Sequence, residues 1–239
     1  MRGWWREIAG LVLPAVCGGC GSPRAELCAR CAAELAVAPR RVRPAPEPVG
    51  LPAVHAVAPY ENAVRAMLLA HKERGALGLA RMLGGALAAA VRAGEERWDA
   101  GRSPLLLVPV PSARRATAGR GHDPVLRIAA AAAAGLRRGG THARVAPVLR
   151  QRRGVADQAG LGGRERRSNL AGALVVADGG RRLCRGGGMI VLVDDLITTG
   201  STLAEAARAM RAEGRGEGTD TLRAAVVAAS PSAFESNRG

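Results

Sequence analysis

The stretch VLVDDLITTGST, residues 191 to 202, sets two adjacent aspartates between an apolar run and a turn rich in hydroxyls. Residues 189 to 193 read as a strand buried on both faces. Leu203, Ala206, Ala207 and Met210 then recur at i, i+3, i+4 and i+7, so a helix begins at about Ser201 or Thr202. Thr198, Thr199, Gly200, Ser201 and Thr202 form the loop entering that helix. Its first amides lack intrahelical partners and its dipole end is positive, which makes a phosphate cup. The dipole alone contributes about 0.3–1 kcal/mol when exposed, so convergent amide and hydroxyl hydrogen bonds must supply the rest. Asp194 and Asp195 would repel a phosphate and are expected to meet another part of the same ligand. Carboxylates accept hydrogen bonds and vicinal hydroxyls donate them, so a ribose 5-phosphate satisfies both ends. A rival reading is an acidic pair holding magnesium, as beside a nucleotide. A capped helix start explains one such residue, but not two acids, three threonines, a serine and a glycine together. Neither a Gly-Lys-Ser/Thr phosphate loop nor a G-x-G-x-x-G motif is present.

Outward from this unit, strand patterns alternate with helical ones. AVHAVAPY (53–60), PLLLVPVP (104–111), ARVAPVLRQ (143–151), MIVLVDD (189–195) and LRAAVVAAS (222–230) read as strands. Residues 62–75, 77–94, 124–140 and 201–214 read as helices. This order predicts an α/β domain whose mostly parallel sheet is flanked by helices. Ligands in such sheets bind beyond the carboxyl ends of the strands. Two strands end in chemistry: one at Pro109-Val110-Pro111, the other at Asp194-Asp195. Residues 154–176 begin as a Gly- and Arg-rich loop.

The front of the chain is a different module. Cys17-Gly-Gly-Cys20 and Cys28-Ala-Arg-Cys31 form two C-x-x-C turns, each able to aim two thiolates at one ion. Together they predict a closed, structural zinc site in a small knuckle. Disulfides or a redox pair are the alternatives, the first needing an export signal and the second only one C-x-x-C. Cys184 has no partner in sequence. The lead-in MRGWWREIAGLVLPAV has a basic start and an apolar middle, but Glu7 interrupts it. It reads as an amphipathic segment whose Trp4, Trp5, Leu11 and Leu13 pack on the neighbouring module, in a cytoplasmic protein. APRRVRPAPEPVGLP, rich in Pro and Arg, reads as a linker. The expected organisation is therefore 1–37 with the knuckle, 38–52 linker, and 53–239 main domain.

The chain's net charge of +15 is almost all arginine, with Lys72 the only lysine. Two readings of that charge stand: association with nucleic acid or phosphate-rich ligands, or a codon bias that also favours Ala, Gly and Pro. With one Phe, one Tyr and three Trp, basic residues are not interleaved with aromatics, so a single-strand stacking platform gets no support. No apolar run approaches the roughly 20 residues of a membrane span.

VLVDDLITTGST resembles the PRPP-binding motif of type I phosphoribosyltransferases. The whole chain is similar to the ComF family of competence-associated, phosphoribosyltransferase-like proteins. The four-cysteine knuckle, HKERG (71–75), LLLVPVPSARRATAGRGHD (105–123), ADQAGLGGRERRSN (156–169) and the Asp-Asp motif occur in that family's order. The resemblance implies Asp194 and Asp195 as catalytic-site residues on the ribose hydroxyls, and Thr198 to Thr202 on the 5-phosphate. It implies a pyrophosphate loop at Pro109 to Arg115, with Arg114 and Arg115 as contacts. Gln158 to Asn169 correspond to the loop that covers such sites, with Arg164 and Arg167 clamping the leaving group. Where the family has an aromatic and an Asn, this chain has His122 and Asp123. Two functions follow as expectations. One is magnesium-dependent transfer of ribose 5-phosphate from PRPP to a nitrogen nucleophile, with Asp195, His122 or Asp123 as candidate base. The other is a PRPP-sensing or scaffold protein acting with a DNA-uptake helicase.

Overall fold

A computed structural model describes residues 16–94, 104–112, 121–152, 172–185, 188–213 and 222–235. The knuckle holds one short helix, α1 (Ala29–Ala33). A three-residue strand β1 (Arg40–Val42) and then β2 (Val54–Pro59) lead into helix α2 (Asn62–Glu73), a 3-10 turn (Leu77–Leu79) and helix α3 (Ala80–Ala93). Next come β3 (Leu105–Pro109), α4 (Pro124–Arg138), and the short strands β4 (Ala143–Val145), β5 (Leu149–Gln151) and β6 (Leu174–Val176). Helix α5 (Asp178–Arg185), β7 (Met189–Ile197), α6 (Ser201–Arg211), β8 (Leu222–Ala229) and α7 (Pro231–Glu235) complete the order.

The main sheet runs β1-β2-β8-β7-β3-β4. β1 is antiparallel to β2, and every other pairing is parallel. The expected α/β architecture is therefore present. β7 sits between β3 and β8, and its apolar positions alternate between two cores because successive strand residues face opposite sides. Val191 and Val193 join Leu83, Leu87 and Ile128 under α2, α3 and α4. Ile190 and Leu192 join Leu203, Ala206 and Met210 under α6. A chain almost without aromatics closes these cores by bringing small residues together. At Gly84 a Cβ would lie 2.5 Å from that of Ala131, so α3 and α4 touch nearly backbone to backbone.

Three boundaries differ from the sequence reading. Residues 38–52 are not only a linker, since Arg40–Val42 forms the edge strand of the sheet. Flanking prolines suit an edge, where one side of the backbone needs no partner. The stretch is tied down at both ends: Arg43 N–H donates to Ala233 O at 3.1 Å, and Arg211 Nη1 to Gly50 O at 2.7 Å. Residues 143–151 are two strands, not one. Pro147 lacks an N–H and cannot continue a ladder, so β4 stays in the main sheet while β5 pairs antiparallel with β6. β6 lies at the end of the stretch expected to begin as a loop. Finally, β7, read as MIVLVDD (189–195), runs on past both aspartates to Ile197, still paired with Ala229 of β8.

The topology fixes where a ligand can go. From β3 the chain crosses through α4 toward β4 at one edge. From β7 it crosses through α6, on the other face, toward β8. Adjacent strands whose connections depart in opposite directions leave a crevice beyond their carboxyl ends. That crevice opens between Pro109 and Asp194.

Candidate functional site

Val110 N–H donates to Val193 O at 2.9 Å, which seats the start of the Pro109-Val110-Pro111 loop beside the aspartates. On the other strand the chain leaves β7 through exposed Thr198 and Thr199 and turns at Gly200 into α6. Gly200 is the helix N-cap and is left-handed, at φ 75°. A side chain there would be strained, and its Cβ would come within 3.1 Å of both Leu51 and Pro44. The first helical hydrogen bond, Ala204 N–H to Gly200 O at 2.9 Å, starts the helix as the period predicted. Thr199 and Ser201 hydroxyls lie 3.1 Å apart, and Thr202 is exposed. Thr198, Thr199, Gly200, Ser201 and Thr202 thus come together at one helix mouth, directly after the strand's last residue, Ile197.

The two aspartates are not equivalent. Asp195 is buried and turns toward the face carrying α2, where its Oδ2 lies 3.0 Å from Lys72 Nζ. Asp194 folds back onto its own chain, and its Oδ1 accepts the Asp195 N–H at 2.8 Å. Asp194 is half-buried. That burial, followed by the neighbouring Asp195 charge, raises the Asp194 carboxyl well above the usual carboxylate range; the Asp195 amide and Lys72 oppose the rise. The pair therefore has one carboxylate held against an ammonium and one turned back onto its own backbone.

Lys72 was not among the sequence-predicted site residues. Its partner lies 123 positions away, and no local pattern joins them. The available signal was composition: one lysine in an arginine-rich chain, inside HKERG. Its neighbour His71 is fully buried, with ring nitrogens 3.4 Å from Ala76 O and from Pro124 O. Burial, the dominant influence, lowers the His71 value. Asp123 caps α4 by accepting the Leu126 N–H at 3.1 Å, with Pro124 following at the first helical position. Arg114 and Arg115, and Arg164 and Arg167 in the 158–169 stretch, lie outside the described residues, as do Trp4, Trp5, Leu11 and Leu13 of the lead-in.

A second element supports the crevice from below. Buried Glu205 of α6 accepts the Leu174 N–H at 3.0 Å and is gripped by Arg208 at 2.7 and 2.8 Å. Arg208 also donates to Leu174 O at 3.0 Å. Both backbone groups of one β6 residue are thereby held by α6. Burial works against the Glu205 charge, but Arg208 and the Leu174 amide outweigh it and hold the carboxyl below its ordinary value.

At the N terminus Cys17, Cys20, Cys28 and Cys31 bring their sulfurs within 4.8 Å of one another. A tetrahedral thiolate zinc site needs S···S separations of roughly 3.8 Å, given Zn–S near 2.3 Å. Cys20 and Cys28 lie 3.7 Å apart, so this donor set fits zinc and could hold it. The Cys28 N–H donates to Cys17 Sγ at 3.3 Å, an outer-shell contact of the kind that orients a metal ligand. Without the ion the thiols differ widely: Cys20 is lowered to about 5, mainly by Ser22, while burial pushes Cys31 up to about 12. Cys17 and Cys31 are buried in the same core as Val64, Met67 and Leu79. A Cβ at Gly18 would meet Leu79 at 2.7 Å, and one at Gly19 would meet Cys31 Sγ at 2.7 Å and Ala63 at 3.3 Å. The knuckle is thus docked closely on α2 and the 3-10 turn. Among the described residues no single helix is long and apolar enough to cross a membrane. No protein-family model and no curated protein matches this chain, so the functional reading rests on the crevice and the cysteine cluster.

Proposed function

We propose that the β3–β7 crevice binds PRPP with Mg2+ and transfers its ribose 5-phosphate to a nitrogen nucleophile, releasing pyrophosphate. One observation carries this reading: a left-handed glycine opens a helix immediately after an acidic pair, at the point where the sheet's connections diverge. Amides and hydroxyls of Thr198 to Thr202 take the 5-phosphate. Asp194 and Asp195 take the 2- and 3-hydroxyls. One carboxylate already lies 3.0 Å from an ammonium, and ligand hydroxyls can donate to the carboxyl oxygens of both aspartates. Magnesium would be held with the pyrophosphate, where it would supply charge neutralisation. In the transfer the C1–oxygen bond to pyrophosphate breaks with its electron pair on the leaving group, and a C1–nitrogen bond forms. The chain's contribution is to hold ribose and phosphate in line for that displacement. Arg114, Arg115, Arg164 and Arg167 are the residues proposed to stabilise the leaving group.

A second reading is favoured by one specific observation. Asp123 is engaged as a helix cap and Asp195 with Lys72, which leaves neither well placed to take a proton. On that reading the crevice senses PRPP, or serves as a scaffold, and the chain works with a DNA-uptake helicase, as resemblance to the ComF family suggests. Zinc in the four-cysteine knuckle is structural on either reading, because four thiolates leave no open position.

Calorimetry with PRPP and Mg2+, on the unaltered chain and on Asp194→Asn/Asp195→Asn, tests the proposal. Binding that the double variant abolishes is expected. Pyrophosphate release with one member of a nucleobase panel supports transfer, and binding without release supports the sensor. An unaltered chain that binds no PRPP overturns both.

A further inference from the structure

Lys72 occupies the last turn of α2, on the sheet face opposite α6, and its ammonium is the charge facing Asp195 at 3.0 Å. We propose that Lys72 is a positioning residue of the ribose grip: its ammonium fixes the orientation of the Asp195 carboxylate at the edge of the crevice and so sets how it meets the ligand hydroxyls. This rests on the reading of the crevice as a ribose 5-phosphate site.

Three features make the contact more than a chance surface pair. The Asp195 side chain is only 9 % exposed against 33 % for Lys72, so the ion pair is shielded from solvent on the carboxylate side. Shielded pairs keep their geometry, whereas exposed pairs contribute little. The helix end that delivers Lys72 is itself pinned. His71 beside it reaches Ala76 O and Pro124 O, and the N–H groups of Arg74 and Ala76 both return to Ala70 O. Finally, the residue is lysine where the chain otherwise uses arginine. An ammonium is a compact point charge, while a guanidinium fork would span both carboxylate oxygens and compete with hydroxyls for them. Lys72 also bears on the partner acid, since its charge opposes the rise of the Asp194 carboxyl.

The test uses ribose 5-phosphate, which lacks the pyrophosphate, so that a direct contact of Lys72 with the leaving group is left out. Lys72→Met is expected to weaken ribose 5-phosphate binding roughly 10- to 100-fold, the range for losing a hydrogen bond to a charged group. On an Asp195→Asn background the same change should cost nothing further, because Lys72 acts through Asp195. Lys72→Arg should bind more weakly than the unaltered chain but better than Lys72→Met. A ligand-free readout accompanies these. With 15N-lysine labelling the full-length protein has one side-chain ammonium signal, expected in the unaltered chain and lost in Asp195→Asn. Unweakened binding by Lys72→Met, or losses that add across the two positions, overturns the proposal. If the unaltered chain binds no ribose 5-phosphate, the crevice reading fails. The ammonium signal still decides the contact: loss on Asp195→Asn keeps Lys72 as the residue that holds Asp195, and an unchanged signal overturns it. Should Lys72→Met fail to fold, Lys72→Arg and that signal decide alone.

Discussion

The cysteine knuckle and the β7–α6 turn both gather polar groups of a short loop around one point, but with opposite sign and opposite closure. In the knuckle four sulfurs from two turns converge within 4.8 Å, two of them buried in the core under α2. Filled by one cation, that arrangement has no coordination position left, and what it offers the protein is rigidity. In the turn, exposed Thr198, Thr199 and Thr202 surround a buried left-handed glycine, and the donors point out of the fold. The knuckle's sulfurs face one another, whereas the turn's threonines are open to solvent.

Chelation is the strongest way to break the comparison. Structural zinc in finger peptides carries on the order of 10–16 kcal/mol of apparent binding free energy. Stripping the metal is expected to release one zinc per chain and lower the melting temperature sharply, whereas withdrawing phosphate from the turn leaves the fold intact. Zinc analysis paired with a thermal melt reads this out, and a stable, metal-free native chain would sink the structural assignment. Next in size, Glu205→Ala removes the acceptor for Leu174 N–H and Arg208 and should cost about 2–3 kcal/mol by urea unfolding. Because the folded Glu205 value is depressed, its contribution is complete above the ordinary value of 4.5 and lost as pH falls through the folded value. The gap between variant and unaltered protein should therefore close in acid. A gap that persists unchanged at pH 2 would mean that packing, not charge, is what Glu205 supplies.

Gly200→Ala forces a side chain into a left-handed turn against Leu51 and Pro44, at a cost of about 1–3 kcal/mol. It should weaken phosphate binding more than stability, which isothermal titration with inorganic phosphate beside a melt would resolve. Equal losses in both would make the turn merely structural, like the knuckle. The smallest effect has the opposite sign. Burial and Asp195 raise Asp194, so folding favours its neutral form, an advantage complete below the usual value of 3.8 and lost as pH rises through the folded one. Asp194→Asn is expected to raise the melting temperature at pH 7 by about 2–4 °C and to change nothing at pH 3. A drop at pH 7 would show that the charged form is the one the fold wants.

What could be read from the chain follows from how far apart the partners lie. β7, the start of α6 and the paired C-x-x-C turns depend on neighbours within a few positions, and all appear where period and spacing put them. The aspartates hid the length of β7, because charges look like a strand's end unless a partner strand is known to continue beside them. β1 was masked by prolines on both sides, and Pro147 split a run that looked continuous. Lys72 with Asp195, and Glu205 with Leu174, join residues 123 and 31 positions apart, beyond any local pattern. The candidate site was legible as a motif, and its supports were not.

The edge strand β1 has a consequence for how the protein behaves in a crowd. Without it, the aliphatic β2 would present an open row of amides and carbonyls at the sheet margin, a template for another chain. β1 covers that row, and it carries exposed Arg40 and Arg41 in a segment bounded by Pro39 and Pro44. Repelling charges and prolines are poor material for strand-to-strand growth. Residues 38–52 thus act as the sheet's hem, and a chain cut to begin at residue 53 should self-associate through β2.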